Sequence, residues 1–245
     1  QRETTMNARR LAAVSTVAAV LVTLLADPVA AQSTSAELIY GLNEQLLIVA
    51  IPITLLVEGI LLYAVLKFKS NDEPKETKEN RRLEITWTGA TAVILLFVGV
   101  ASYGVMADDS VEFTGGEEEV APDENDVLIQ AQAYQWGWDM TYPEQDVTVS
   151  GAGEGPTIVV PANQDIYVNV SSRDVIHGFH VPELGMKSDA IPDQTNYIKT
   201  NVSETGTYQG YCTEYCGVAH SQMYFTIEVV DQAEYNEWLD EQQAS

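Results

Sequence analysis

The residues best equipped for chemistry lie in one run, Tyr211-Cys212-Thr213-Glu214-Tyr215-Cys216-Gly217-Val218-Ala219-His220-Ser221-Gln222-Met223. Two thiols, an imidazole and a thioether are soft donors that suit copper, whereas magnesium or calcium would want oxygen ligands. Zinc competes, because two Cys and two His can close a tetrahedral site. Met223 argues against zinc, which gains little from a thioether, while a long, weak Met ligand is typical of blue-copper-type sites. A disulfide between Cys212 and Cys216 is the plain alternative in an oxidising compartment. Haem attachment fails, since it needs Cys-x-x-Cys-His and three residues separate these cysteines. A fourth strong donor must come from elsewhere, and the other histidines are His177 and His180. If a strand runs through both, their offset puts them on opposite faces, so a rigid strand offers the metal one of them; periodicity does not choose.

Such donors need a stiff frame. Short apolar or alternating runs at 127–129, 134–142, 147–149, 157–160, 166–170 and 223–230 are punctuated by Gly, Pro, Asn and Asp, the pattern of an all-β sandwich or barrel. Within 134–142, a regular strand puts Tyr134, Trp136, Trp138, Met140 and Tyr142 on one face, and Gly137 predicts a bulge that re-aims Trp136. Asp231, followed by Glu234, predicts the cap of a short C-terminal helix through Leu239.

The frame is tied to a membrane. Residues 46–66 are apolar apart from Glu58, and residues 85–106 carry no charge, so each can cross a hydrocarbon core of about 30 Å as a helix. The intervening segment 67–84 holds Lys67, Lys69, Lys75, Lys78, Arg81 and Arg82, which places it in the cytoplasm and both flanks outside. Ahead of this hairpin (38–106), Arg9 and Arg10 precede an uncharged stretch at 11–26 and small residues at Val29 and Ala31. That stretch covers only about 24 Å as a helix. Residues 1–31 therefore read as a secretory signal region cut after Ala31, with a transmembrane helix lengthened by its neighbours as the alternative, and an exported N-terminus gives the same topology.

Beyond Met106 lie 26 of the 36 acidic residues but only three cations, Arg173, Lys187 and Lys199. Residues 107–125 read as an acidic, solvated linker and 126–245 as the β-domain. So few cations exclude a nucleic-acid face. Acid spread over a whole domain reads as the adaptation of a halophile to concentrated salt.

The pattern Cys-x-Glu-x-Cys-Gly-x-x-His-x-x-Met, preceded by Asp174-Val175-Ile176-His177, resembles subunit II of cytochrome c oxidase, the haem-copper terminal oxidase, and the likeness covers essentially the whole chain. It implies a membrane-anchored all-β protein: a two-helix transmembrane hairpin, then an extracytoplasmic cupredoxin-like β-sandwich or barrel. In that family two thiolates bridge two copper ions, the binuclear CuA centre. Carried across, Cys212 and Cys216 bridge, His177 and His220 each bind one copper, Met223 is a weak ligand and Glu214 ligates through its backbone carbonyl. His177 is taken because it occupies the histidine of Asp-Val-x-His, and His180 then reads as a surface or hydrogen-bonding residue. The Glu214 carboxylate, by the same resemblance, helps hold magnesium at the boundary with the haem-bearing subunit. Trp136, in Gln135-Trp136-Gly137-Trp138, is the implied point of electron entry. Glu84, in Glu84-Ile85-Thr86-Trp87-Thr88, lies near the cytoplasmic mouth of a proton-uptake channel.

The chain departs from the family pattern at three places. Gly89 and Ala90 stand where a proline is usual, Gly137 replaces an aromatic, and Asp193-Gln194 replaces Gly-Arg after Lys187-Ser188-Asp189-Ala190-Ile191-Pro192. The implied function is entry of electrons from cytochrome c or a blue-copper protein, and their passage to haem in a large membrane subunit that reduces oxygen and translocates protons. Two other classes compete. A quinol-oxidase subunit shares the fold but lacks the copper ligands, and a membrane-anchored copper storage or delivery protein needs an open, exchangeable site.

Overall fold

The computed structural model describes residues 32–76, 78–113 and 126–244; the expected signal region 1–31 and most of the expected linker, 114–125, lie outside them. Two helices come first, α1 at Thr34–Phe68 and α2 at Arg81–Met106. At about 1.5 Å per residue both exceed the hydrocarbon thickness. α1 begins ahead of the expected residue 38 because Ser33 caps it. Its hydroxyl oxygen accepts the Ala36 N–H at 3.1 Å and donates to the Leu184 carbonyl at 2.6 Å. Pro52 removes one N–H from α1, a loss that membrane helices tolerate. Asn80 caps α2 through the Leu83 N–H at 3.1 Å.

Apolar side chains cover both helices and stay uncovered, with Ile48 73%, Val93 68% and Leu96 68% exposed. Such a surface belongs in lipid or against other membrane helices. Glu58 interrupts it, at a cost of about 3 kcal/mol for a carboxylate at mid-membrane.

Ten strands follow: β1 Val127–Tyr134, β2 Gly137–Tyr142, β3 Val147–Ala152, β4 Thr157–Pro161, β5 Asp165–Ser172, β6 His177–Val181, β7 Met186–Ala190, β8 Asn196–Asn201, β9 Gly206–Cys212 and β10 Tyr224–Val230. They form two five-stranded sheets, ordered β3-β2-β1-β5-β8 and β4-β10-β9-β6-β7. β1 with β5 and β4 with β10 are parallel pairs. A helix, α3, spans Gln232–Gln243, with the Asp231 carboxylate accepting from Ala233 N and Glu234 N at 2.9 Å each.

Strands β7, β8 and β9 escape the apolar pattern. Met186-Lys-Ser-Asp-Ala, Asn-Tyr-Ile-Lys-Thr-Asn and Gly-Thr-Tyr-Gln-Gly-Tyr-Cys alternate, but with small or polar residues where aliphatic ones were sought. On β9 one inward position has no room for bulk: a Cβ on Gly210 would stand 2.2 Å from the Phe225 ring. The expected strand at 134–142 with a bulge at Gly137 is also corrected. Tyr134 pairs with Gly137, so Gln135 and Trp136 form the turn of a hairpin. The turn, rather than a bulge, leaves Trp136 partly buried at the edge of the core while Trp138 is fully buried.

Between the sheets, Trp138 meets Phe179 and Phe225 edge-on at 5.7 and 5.3 Å, and those two rings stack at 4.5 Å. The start of α1 is fastened to the same domain. Ser33 bridges to Val202, and Gly185, at φ 63°, lies so close that a Cβ there would be 2.9 Å from Ala36 N. β6 leads from His177 at one end of the sandwich toward this seam. Replacing Trp138 with alanine should destabilise the domain by about 3–5 kcal/mol, read as a lowered thermal unfolding midpoint by near-ultraviolet circular dichroism; an unchanged midpoint would contradict the packing described.

Candidate metal centre

Three connections meet at one end of the sandwich: the β1–β2 turn, the segment between β5 and β6, and the loop between β9 and β10. β9 ends on Cys212, β6 begins at His177, and Met223 immediately precedes β10. Backbone hydrogen bonds join them, from Cys212 N to Met223 O at 3.0 Å and from Thr213 N to Gly178 O at 3.1 Å. Gly178 has no room for a side chain, since a Cβ would stand 2.2 Å from Thr213 Oγ1. Gly217 has φ 124°, and a Cβ there would also press on the Trp136 ring at 3.0 Å, so glycine is required twice over.

The side chains converge. Cys212 Sγ lies 3.9 Å from His177 Nδ1, 3.9 Å from Cys216 Sγ and 3.3 Å from the Glu214 carbonyl. Cys216 Sγ lies 3.6 Å from His220 Nδ1 and 3.9 Å from Met223 Sδ. The sulfurs are free thiols, too far apart for a bond of about 2.05 Å, which removes the disulfide alternative. His177, Cys212, Cys216 and Met223 are buried, with His220 partly so. Donor atoms of His177, Cys212 and Cys216 lie within 4.8 Å of one another, and His220 approaches from the Cys216 side.

The environment divides the two thiols. Burial pushes Cys212 up, but hydrogen bonds with His177 and with the backbone at Gly178 and Glu214 outweigh it and bring the thiol down to about 7. Cys216 is pushed up by burial and by the charge of Cys212 beside it. The pair yields its first proton readily and its second reluctantly, which a bound cation would reverse. Burial would lower His177, yet its contacts with Cys212 and Asp174 leave the imidazole raised.

Asp174 deserves its place in the motif. Its Oδ1 lies 2.8 Å from His177 Nε2, so the ring is held with Nδ1 toward the sulfur. The carboxylate also accepts from Val175 N and Gln135 N at 2.7 Å each, and these bonds overcome its burial to lower it. Gln135 Nε2 and Trp136 Nε1 both donate to the Cys216 carbonyl, at 2.7 and 3.1 Å. Sequence reasoning assigned neither Asp174 nor Gln135 a role. An acid three residues before a candidate histidine ligand is a usable signal for Asp174, whereas nothing local marks Gln135.

The remaining expected residues stand apart. His180 faces away from the sulfurs, in edge contact with Tyr211 at 5.3 Å. The Glu214 side chain is exposed while its carbonyl faces Cys212. Glu84 sits in the first turn of α2, exposed, far along the chain from this end. Asp174→Ala should weaken retention of a metal ion added to this site about 10- to 100-fold in chelator competition, because His177 would lose its fixed orientation; unchanged retention would deny that role.

Known proteins show the same organisation. The pattern of the cytochrome c oxidase subunit II transmembrane domain matches residues 16–105, and that of its periplasmic domain matches residues 154–230. A probable cytochrome c oxidase subunit 2 from Rickettsia bellii is 31% identical over 221 residues, covering 83% of this chain and 78% of its own. Cytochrome c oxidase subunit 2 of Cereibacter sphaeroides is 29% identical over 251 residues, covering 88% and 78%. The crystal structure of the periplasmic domain of subunit II of the Bradyrhizobium japonicum cytochrome oxidase is 32% identical, covers 51% of this chain and 98% of its own, and gives a TM-score of 0.46. The chain thus belongs to the cytochrome c oxidase subunit II family, as a membrane subunit of a haem-copper terminal oxidase with its cupredoxin-like β-domain outside the cytoplasm.

Proposed function

We propose that this chain is the electron-entry subunit of its oxidase, with a binuclear copper centre held by His177, Cys212, Cys216, His220, Met223 and the Glu214 carbonyl. One observation carries this reading: the donor approaches run as a chain, from His177 to Cys212, to Cys216, and on to His220 and Met223. Thiols in the middle with different donors at each end suit two ions sharing sulfur. A single tetrahedral zinc wants four donors all mutually within about 4 Å. Copper storage or delivery wants ligands open to exchange, whereas both thiols and His177 are buried. Two copper ions bridged by sulfur would supply a one-electron carrier whose charge is shared over four atoms.

The chain's own residues do the rest. Asp174 fixes the His177 ring, the paired strands hold the sulfurs, and buried neighbours exclude water. Trp136, half-buried and hydrogen-bonded to the Cys216 carbonyl, joins the rim to the backbone of a ligand and takes the entry role. The donor is cytochrome c or a blue-copper protein, and the acceptor is haem in the catalytic subunit, where oxygen reduction and proton translocation take place. The exposed Glu214 carboxylate is free to help bind magnesium at that boundary, a hard ion suited to oxygen. Glu84, at the cytoplasmic start of α2, assists proton uptake.

Electron paramagnetic resonance of the oxidised chain should show one unpaired electron shared by two copper nuclei. Cys216→Ser should abolish that signal, while His180→Ala should leave it intact. Glu214→Gln should keep it but weaken manganese bound in place of magnesium in the assembled oxidase. A single-copper spectrum, or stable zinc without copper uptake, would overturn the centre.

Rapid kinetics separate the remaining roles. Trp136→Ala should slow reduction by the natural donor at least tenfold with copper content unchanged. Glu84→Ala should leave that step normal but slow steady-state oxygen consumption. Wild-type rates in either variant would remove the corresponding role.

A further inference from the structure

Among the described residues, Glu58 is a carboxylate in a membrane span without an ion pair. It lies nine residues before Lys67, about 13 Å along α1 from the cytoplasmic boundary that Lys67 marks. A glutamate side chain is too short to reach the interface from there, unlike lysine or arginine, which can snorkel. Lys67, the nearest cation along the helix, instead donates to the Tyr63 hydroxyl at 2.6 Å. The span of α2 carries no charge, and among the described residues no ion pair involves Glu58. Its side chain is exposed, flanked one turn away on each side by Leu55 and Leu62, themselves 66% and 61% exposed. Thr54 shares this face one turn earlier and extends it as a short polar strip.

In hydrocarbon neither water nor a headgroup reaches such an acceptor, so polar side chains within membranes turn toward protein partners. Thr and carboxylate side chains at helix contacts act as hydrogen-bonding points between helices. We infer that the Glu58 and Thr54 face of α1 docks on a membrane helix of the haem-bearing subunit that presents a hydrogen-bond-donating side chain at mid-membrane depth. This rests on the reading of the chain as an oxidase subunit. The contact fixes the depth and rotation of α1, and through the seam at Ser33 it also sets the placement of the β-domain.

The test uses the full chain, tagged and extracted in mild detergent with its complex, and measures haem recovered per chain. Glu58→Leu should reduce recovered haem at least fivefold even though the chain still appears in the membrane fraction, since leucine favours insertion. Glu58→Gln, which keeps hydrogen bonding, should stay within twofold of wild type. Leu56→Ala, on the opposite side of α1, should change nothing. Normal haem recovery with Glu58→Leu would overturn the contact while leaving the oxidase reading in place. Absence of haem from the wild-type preparation would overturn both. A Glu58→Cys chain that crosslinks only to a second copy of itself would also refute the inference.

Discussion

Two thiols buried 3.9 Å apart impose the central constraint on this protein. Losing both protons places two negative charges together in a poorly solvated site, which is costly unless positive charge or hydrogen bonds answer them. Much of the surrounding structure supplies that answer. His177 and His220 approach the sulfurs, Asp174 supports His177 from behind, and Gln135 and Trp136 satisfy the Cys216 carbonyl.

Rigidity follows from where those groups are attached. Cys212 and Met223 exchange a hydrogen bond across the mouth of an antiparallel pair, and His177 starts a strand paired on both sides. Beneath them Trp138, Phe179 and Phe225 interlock, so the end of the sandwich cannot shift without opening the aromatic core. Gly178 lets the backbone close on Thr213 where a Cβ would stand 2.2 Å from Oγ1, and Gly217 supplies a φ of 124° that other residues rarely adopt.

The chain lives in two solvents, and one short seam couples them. Ser33 caps α1 and at the same time bonds to the β-domain, and Ser35 reaches Thr200 on β8 at 3.0 Å. The end of a membrane helix is thereby part of the sandwich. β6 runs from His177 to this seam, so one paired strand joins the two ends of the sandwich.

The sequence by itself determined the class of protein and much of its chemistry. Two long apolar runs around a basic loop read as a hairpin in lipid, and soft donors at the spacing from Cys212 to Met223 limit the metal. Both are local properties, set by composition and by covalent distance along the chain. Strand β9 is hard to read from the sequence in part because Gly210 is small for a reason found only across the sheet, in the ring of Phe225. Trp136 was expected to be re-aimed by a bulge, but pairing between Tyr134 and Gly137 makes a hairpin turn instead. The choice of His177 over His180 rested on resemblance, since an alternating strand presents either one equally. Tertiary structure brings one of them to the thiols: His177 Nδ1 lies 3.9 Å from Cys212 Sγ, while His180 is in edge contact with Tyr211. Register and long-range packing are relations between segments far apart in the chain, so no local pattern could state them.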